Sequence, residues 1–339
     1  IFAYAGFGII GVLSGYLIGD ILFTVLVLPI CYKKLNNKKQ KIDINSSLNY
    51  SFPILISSLI IFGVTQIDRI FALINLGLPG LGIYTIAIAA STIGAYAPNS
   101  LATAITPNLA TLYSLNKLDS FRDLSKLYTR YVSFIGMPAA FMIAALSIPL
   151  MSIFGIQYAN SALPAAIISI AIGITTFSSI YNSQLFVRGK TNWIMFANIS
   201  GLVLFIIMIS ISQFLNNNVD VNYLAYGRAL MIISTSLIIS YKSYTLGDLT
   251  YDKKSIRSSL IGSIIMAIIL YSSYELFFSS LSSLISLAIL IPLGMIIYFM
   301  FLRQTKTFNQ QDIEFIMRII SIKKTNKINI TKKIFGIKN

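Results

Sequence analysis

Four ionisable side chains stand inside otherwise apolar stretches of this sequence, where a charge is costly and therefore marks a candidate site. They are Asp20, Asp68, Arg69 and Arg228. A guanidinium is planar and matches the oxygens of a phosphate group, so Arg69 and Arg228 are candidate binding groups for a diphosphate. Asp68 can neutralise one of these arginines and leave the other facing a water-filled cavity.

Three of these charges are predicted to lie at a similar depth in a membrane. Asp68 and Arg69 lie about sixteen residues, or roughly 24 Å, into the apolar segment 52–74. Arg228 lies about seven residues, or roughly 10 Å, into the segment 221–243, which enters from the opposite side. We therefore expect them to meet in the outer third of the membrane. The alternative is structural: Arg69 reaches the outer interface, and Arg228 pairs with Asp68 only to hold helices together.

Uncharged polar side chains recur at helical spacing in the same kind of apolar segment. Tyr84 and Asn99 share one segment with Pro98, which is expected to kink it, and Asn182 and Asn198 lie in two further segments. Together these side chains could line an aqueous cavity that binds a hydroxyl-rich sugar. Hydrogen bonding between helices is the competing interpretation of polar side chains inside a membrane.

Asp20 follows three glycines spaced four residues apart, Gly11, Gly15 and Gly19. This spacing allows two helices to pack closely. Asp20 is a candidate site for a coupling proton or sodium ion, a role that is open to Asp68 as well. The other interpretation is that Asp20 reaches polar groups near the inner side of the membrane.

Several kinds of chemistry are excluded by what the sequence lacks. There is one cysteine, Cys31, and no histidine, so disulfides within the chain, Cys/His zinc sites and catalysis by a histidine base are ruled out. No glycine-rich phosphate loop and no nucleophile beside a base is found. The sequence therefore predicts a protein that is not an enzyme and has no cofactor or metal, while coupling to H⁺ or Na⁺ stays open.

The elements that carry these residues are predicted to be membrane-spanning helices. Apolar residues make up 56% of the 339 residues and charged residues 11%, whereas about 25% of a soluble protein is charged. The apolar residues form runs of about twenty that do not alternate with polar ones, as helices rather than barrel strands require. We predict an all-α polytopic bundle with about nine spans. Their approximate bounds are 7–30, 52–74, 80–105, 131–154, 162–187, 193–215, 221–243, 258–279 and 281–302.

The basic residues predict how the spans are oriented. Lysine and arginine fall on every second connection, and all but two of the 26 lie in predicted cytoplasmic loops or the C-terminal tail. The C-terminus is therefore expected to be cytoplasmic. The net charge of +15 follows this topology, so no nucleic-acid partner is predicted. Residues 106–130 and 312–322 are expected to form amphipathic helices on the inner surface, attracted to anionic lipid.

Short motifs follow one another between residues 45 and 320. In chain order they are Tyr50–Pro53, Asp68–Arg69 with Leu81–Tyr84, Thr106–Leu109, Phe154–Gly155 with Tyr158, Arg188–Lys190, and Asp312–Glu314. Their order and spacing resemble those of the Wzx-type polysaccharide flippases of the multidrug/oligosaccharidyl-lipid/polysaccharide exporter superfamily.

The resemblance implies a two-lobed, MATE-like fold in which the predicted spans are the sixth to fourteenth helices. Residues 1–51 would be the last helix of the N-terminal lobe and a basic cytoplasmic loop, and residues 52–243 the C-terminal six-helix lobe. Residues 244–302 would be two additional transmembrane helices, and residues 303–339 a basic amphipathic cytoplasmic tail. The chain would then lack about five N-terminal helices, in agreement with its start at Ile1 rather than at a methionine.

The implied function is alternating-access transport of a polyprenyl- or dolichyl-diphosphate-linked oligosaccharide from the cytoplasmic to the outer leaflet of the cell membrane. Such a flippase serves cell-surface polysaccharide or glycoprotein glycan assembly, with membrane lipids and polysaccharide-assembly proteins as further partners. Arg69 and Arg228 would attract the diphosphate or acidic sugars, Asp68 would set the charge balance, and the polar side chains would meet the glycan.

Three other functions stay open. A cation-coupled multidrug exporter of the same superfamily would favour acidic residues in its cavity. A membrane glycan polymerase or glycosyltransferase would need a long loop and several ionisable residues on one membrane face. A scaffold that transports nothing would not need buried charges.

Overall fold

The regular structure of the chain is helical throughout the part that the computed structural model describes, residues 8–34, 44–216, 220–247 and 251–307. The predicted surface helix at 312–322 and most of the first basic loop lie outside these residues. The helices, in chain order, are α1 (Gly8–Lys34), α2 (Ile44–Ser114), α3 (Leu118–Ala145), α4 (Ser147–Ser152), a 3₁₀ turn (Ile156–Ser161), α5 (Ala162–Thr175), α6 (Ser178–Val187), α7 (Thr191–Asn216), α8 (Val221–Thr245), α9 (Lys253–Ser273) with a π-helical turn (Tyr274–Phe278), and α10 (Ser283–Gln304).

The all-α polytopic membrane fold predicted from the apolar runs is confirmed. Six of the described helical stretches are long and apolar enough to cross a membrane, and Leu13–Pro29 in α1 is a shorter apolar stretch. The predicted spans coincide with described helices, although 131–154 and 162–187 each cover two successive helices. Many large apolar side chains point outward, as with Ile74 and Phe214, which are 74% and 87% exposed. Lipid tails are as apolar as these side chains, so their exposure is expected on a membrane-facing surface.

The chain divides into two compact units, Ile1–Ile56 and Ser57–Asn339. The first unit contains α1, on which the side chain of Asp20 is exposed. The backbone carbonyl of Asp20 accepts a hydrogen bond of 2.8 Å from the hydroxyl of Thr24. The other predicted site residues all belong to the second unit.

Two of the apolar clusters in the second unit show how its helices are joined. The first joins α2, α5, α7 and α8 around buried residues such as Tyr84, Ile168 and Phe205. The second joins α3 and α4 to α9 and α10. A hydrogen bond of 2.8 Å from the Ser259 hydroxyl to the Ser133 carbonyl also ties α9 to α3. The C-terminal pair of helices is therefore packed on α3 and does not stand apart from the unit.

Helix α2 turns back on itself at Gly77. This residue has φ 67° and ψ −171°, a conformation that is essentially restricted to glycine. In one straight helix, Asp68 and Tyr84 would lie about 24 Å apart, yet their side chains are hydrogen-bonded. The two halves of α2 therefore run side by side, and the turn at Gly77 lies between the predicted spans 52–74 and 80–105.

The predicted surface helix at 106–130 differs from the structure. Helix α2 continues to Ser114, and α3 begins at Leu118 and runs on into the apolar segment. Part of the apolar face expected to rest on lipid instead packs inward, because Phe121 is fully buried in an apolar cluster with Leu112 and Leu124 packed against it, whereas Leu115 stays exposed. Amphipathic spacing alone does not tell whether an apolar face meets lipid or protein.

Candidate functional site

Asp68 lies at the centre of a buried polar cluster and is 1% exposed. Its Oδ2 accepts a hydrogen bond of 2.9 Å from the Tyr84 hydroxyl and pairs with Nη1 of Arg228. Its Oδ1 accepts a hydrogen bond of 2.9 Å from the backbone N–H of Arg69. The carboxylate thus has three donors, which supply the polar contacts that a buried charge requires.

Arg228 reaches this cluster from α8, about two turns after the helix begins. The Asp220 side chain accepts from the backbone N–H of Val221 and caps the start of α8. The ion pair with Asp68 is one of the two pairings that the predicted depths allow, and the structure confirms it. The Arg228 side chain stays 17% exposed, and its Nε makes no hydrogen bond within the described part of the chain.

Arg69 contacts Asp68 through its backbone N–H rather than through its guanidinium. Its Nη1 donates to Oε1 of Gln66 at 2.5 Å, and its Nε has no hydrogen-bond partner among the described residues. No carboxylate of the described residues forms an ion pair with it. Within the described part of the chain, the Asp68 carboxylate therefore pairs with one guanidinium, that of Arg228.

Arg228 lines one of two adjoining cavities. One has a volume of about 250 Å³ and contains Arg228 and Asn198 in its lining, and the other, of about 240 Å³, contains Asn99 and Asn182. The residues that line both cavities are Thr175, Ser178, Ile232 and Ile239. Four of the predicted site residues are thus brought to one polar space.

Tyr84 does not line either cavity, because it is fully buried. Its hydroxyl donates to Asp68 from the other half of the α2 hairpin. The structure therefore places Tyr84 behind the ion pair.

Polar groups enter the cavity wall where α5 ends and α6 begins. The α5 helix stops at Thr175 and α6 starts at Ser178, and both hydroxyls donate to carbonyls of their own chain segment, at 2.8 and 2.7 Å. Those hydroxyl oxygens keep lone pairs that can accept from a ligand. The Asn198 amide donates to the Ile194 carbonyl at 2.9 Å, and its oxygen makes no hydrogen bond within the described residues. The wall therefore offers acceptors that suit sugar hydroxyls.

A close approach of α3 shapes the far side of this wall. A Cβ on Gly136 would collide with Pro98 and Thr176, which both line the cavity of Asn99. Glycine is the residue that lets the helix backbones come this close.

Sequence reasoning missed several lining residues. They are Thr175, Thr176, Thr235 and Ser236. Two hydroxyl residues in a row in the middle of an apolar span were the available signal. Such residues mostly bond to their own helix backbone, so the signal does not distinguish a cavity wall from ordinary packing.

A second polar cluster joins α3 to the start of α9 and the end of α10. Arg130 is 6% exposed, and its Nη1 pairs with Oδ2 of Asp252 at 3.2 Å, while Nη2 donates to the Thr307 carbonyl at 2.5 Å. Burial raises the pKa of Asp252, but the Ser255 hydroxyl, the Arg130 charge and backbone N–H groups outweigh it, so that the pKa is lowered overall. Arg130 is a buried structural residue here, although its sequence context predicted a surface loop.

No group of three or more potential metal-ligand residues of the Asp, Glu, His and Cys types occurs in the part of the chain that the structure describes. The polar groups that line the cavities are one guanidinium, amides and hydroxyls, next to apolar side chains such as Ile172 and Ile232. Such a set can bind an anionic group and a neutral polar group next to each other.

Comparison with known proteins gives one family model and one solved structure. Residues 1–163 match the family described as "Polysaccharide biosynthesis protein". The solved structure "Lipid II flippase MurJ, inward closed conformation" matches with a TM-score of 0.60 and 16% sequence identity, over 89% of this chain and 64% of that chain. No curated protein is significantly similar in sequence.

These findings establish that the chain has the fold of that flippase and spans less than two thirds of its length. The family model covers the hairpin with Asp68 and Tyr84, and the structural match covers most of the chain. Both matches agree with the resemblance to polysaccharide flippases, and the structural match shows the fold.

Proposed function

We propose that the protein moves a polyprenyl- or dolichyl-diphosphate-linked oligosaccharide from the cytoplasmic to the outer leaflet by alternating access. The observation that carries this proposal is the position of Arg228 at one end of a polar space inside an apolar bundle. Its guanidinium suits the diphosphate, and the neutral amides of Asn99 and Asn182 at the other end suit sugar hydroxyls. Neither amide makes a side-chain hydrogen bond within the described residues, so both are available to a ligand.

The comparisons support a lipid-linked saccharide as the cargo. The matched family is named for polysaccharide biosynthesis, and the matched structure for flipping lipid II. The basic loops favour a cytoplasmic C-terminus, and with that orientation we expect Arg228 in the outer third of the membrane. The diphosphate would thus meet Arg228 and Arg69 on its way to the outer leaflet.

Export of organic cations fits the cavities less well. Their lining contains one guanidinium and no carboxylate, and Asp68 behind them is already neutralised by Arg228. The described lining therefore offers a cation no free carboxylate to bind. An anionic cargo can instead use the N–H donors of Arg228 that face the cavity.

Reconstitution of the full protein into liposomes that contain a polyprenyl-diphosphate-linked oligosaccharide tests this function. Arg228→Gln and Arg69→Gln should each slow glycan movement between leaflets about tenfold or more, because a charge-assisted hydrogen bond to the diphosphate is lost. Arg257→Gln is the matched control, since Arg257 is an exposed arginine near the start of α9. Glycan movement at the normal rate by both Arg228→Gln and Arg69→Gln, with transport of an organic cation in the same liposomes, would overturn the proposal.

A further inference from the structure

We propose that Asp68 is an internal competitor that restricts the site to strongly charged anions by holding Arg228 when no such anion is bound. The inference rests on the proposed function in one respect, that Arg228 is the anion-binding group. Arg228 stands between two acceptors: the buried carboxylate on one side and a ligand in the cavity of about 250 Å³ on the other.

The geometry allows Arg228 to serve both acceptors. A guanidinium has five N–H donors in a rigid fork, and Nη1 is the atom that pairs with Asp68. The side chain also lines the cavity, is partly exposed there, and has an Nε without a hydrogen-bond partner among the described residues. A small rotation of the fork therefore moves its donors from the carboxylate to the cavity.

Asp68 keeps support when Arg228 turns away. Removal of one partner from a buried ion pair is normally costly, because it leaves an uncompensated charge. Here the Tyr84 hydroxyl and the backbone N–H of Arg69, each at 2.9 Å, still donate to the carboxylate. Arg69, the next residue in the chain after Asp68, also carries a positive charge. These contacts lower the cost of exchange, and Tyr84 acts as a positioning residue for Asp68.

Competition of this kind sets which anions can bind. The apparent affinity for an anion equals the intrinsic affinity of free Arg228 multiplied by the fraction of molecules in which Arg228 is free. A singly charged anion offers Arg228 little more than Asp68 already does, whereas a diphosphate offers a higher charge and a bidentate contact. The ion pair therefore acts as a filter that favours diphosphates over carboxylates and chloride.

Inorganic pyrophosphate is the probe that tests this inference, by calorimetry on the full protein in phosphatidylcholine nanodiscs at one pH and ionic strength. Asp68→Asn should bind pyrophosphate at least about tenfold more tightly than the wild type, because the competitor loses its charge. The same variant should gain measurable affinity for acetate. Asp68→Asn combined with Arg228→Gln should fall to the affinity of Arg228→Gln alone, because the gain acts through Arg228.

Equal or weaker binding by a folded Asp68→Asn variant would overturn the inference and leave Asp68 as a fixed counter-ion. This outcome is separate from failure of the proposed function, which the glycan-movement assay of Arg228→Gln decides.

Tyr84→Phe gives an independent measurement if Asp68→Asn does not fold. This change keeps the ion pair and removes a neutral donor, so that Asp68 holds Arg228 more firmly. Pyrophosphate binding should weaken about two- to tenfold, the effect of one hydrogen bond. Unchanged or tighter binding by folded Tyr84→Phe would contradict the exchange.

Discussion

Arg228 and Asp68 lie 160 residues apart in the chain, yet their side chains form an ion pair inside the helical bundle. The pair joins α8 to the first half of the α2 hairpin, and Tyr84 ties the second half of that hairpin to the same carboxylate. One buried charge thus connects three helical segments beside the polar cavities. The same contact that packs the helices also sets where the guanidinium stands.

Arg228→Leu should destabilise the protein by about 3–5 kcal/mol, because the Asp68 carboxylate would stay buried without its cation. Unfolding in a single detergent, followed by helical circular dichroism, measures this loss. The double variant Asp68→Asn/Arg228→Leu should recover most of it, since no unpaired charge is then left. Equal stabilities of the single variant and the wild type would show that water or another group compensates Asp68.

Gly77→Ala should lower stability by about 1–3 kcal/mol, because an L-residue strains to adopt φ 67° and ψ −171°. Relaxation of this turn would also change how the two halves of α2 align and move Tyr84 away from Asp68. We therefore expect a loss of glycan movement together with the loss of stability. Thermal unfolding and the liposome assay measure the two effects.

Gly82→Ala is the matched control for that substitution. Gly82 lies five residues further along α2, has no heavy atom within 4 Å of an added Cβ, and does not have a positive φ. Alanine there should be neutral or stabilise the helix by up to about 1 kcal/mol. An equal loss of stability in Gly77→Ala and Gly82→Ala would show that the turn at Gly77 has no special role.

The sequence was sufficient to predict that Asp68 and Arg228 could meet as an ion pair. A charge in an apolar span is rare, so Asp68, Arg69 and Arg228 stand out without any structure. Asn182 and Asn198 are uncharged, but they stand out as well because each is a polar amide within an apolar span. Their depth, estimated from the rise per residue, brings the charges to one level, and the observed pair of Asp68 with Arg228 agrees with it.

The sequence was not sufficient to tell a buried cation from an exposed one at the ends of the spans. Arg130 lies among other basic residues and was predicted on a surface, yet Asp252 and the Thr307 carbonyl hold it in the protein. These partners of Arg130 are more than one hundred residues away in the chain, and no local sequence pattern predicts them. The contact of the Tyr84 hydroxyl with Asp68 likewise depends on the turn at Gly77, whose dihedral angles only the structure provides.

Gly136→Ala should cost about 1–3 kcal/mol through overpacking, because the added methyl group collides with Pro98 and Thr176. Both neighbours line the cavity of Asn99 and Asn182. The cavity should therefore change shape as the helices move apart, and glycan movement should slow while pyrophosphate binding at Arg228 persists. A parallel loss of pyrophosphate binding would mean that the disturbance spreads to α8.

Asp252→Asn should make the protein less sensitive to acid. The lowered pKa of Asp252 in the folded state means that its contribution to stability is present above the ordinary aspartate pKa of about 3.9 and is lost as the pH falls through the lowered value. Melting temperatures between pH 6 and pH 3 should therefore fall further for the wild type than for Asp252→Asn. Asp123→Asn is the control, because Asp123 is exposed, and its curve should follow that of the wild type.

The orientation on which the direction of transport depends can be tested with single cysteines in a Cys31→Ser background. Ser280 lies in the exposed connection before α10, which is predicted to face outward, and Lys190 in the exposed connection before α7, which is predicted to face the cytoplasm. A membrane-impermeant maleimide added to intact cells should label Ser280→Cys, and it should label Lys190→Cys only after the membrane is opened. The reverse pattern would place Arg228, which is about two turns from the start of α8, near the cytoplasmic face. The guanidinium would then be the first group to meet a diphosphate entering from the cytoplasm rather than the last group to release it outward.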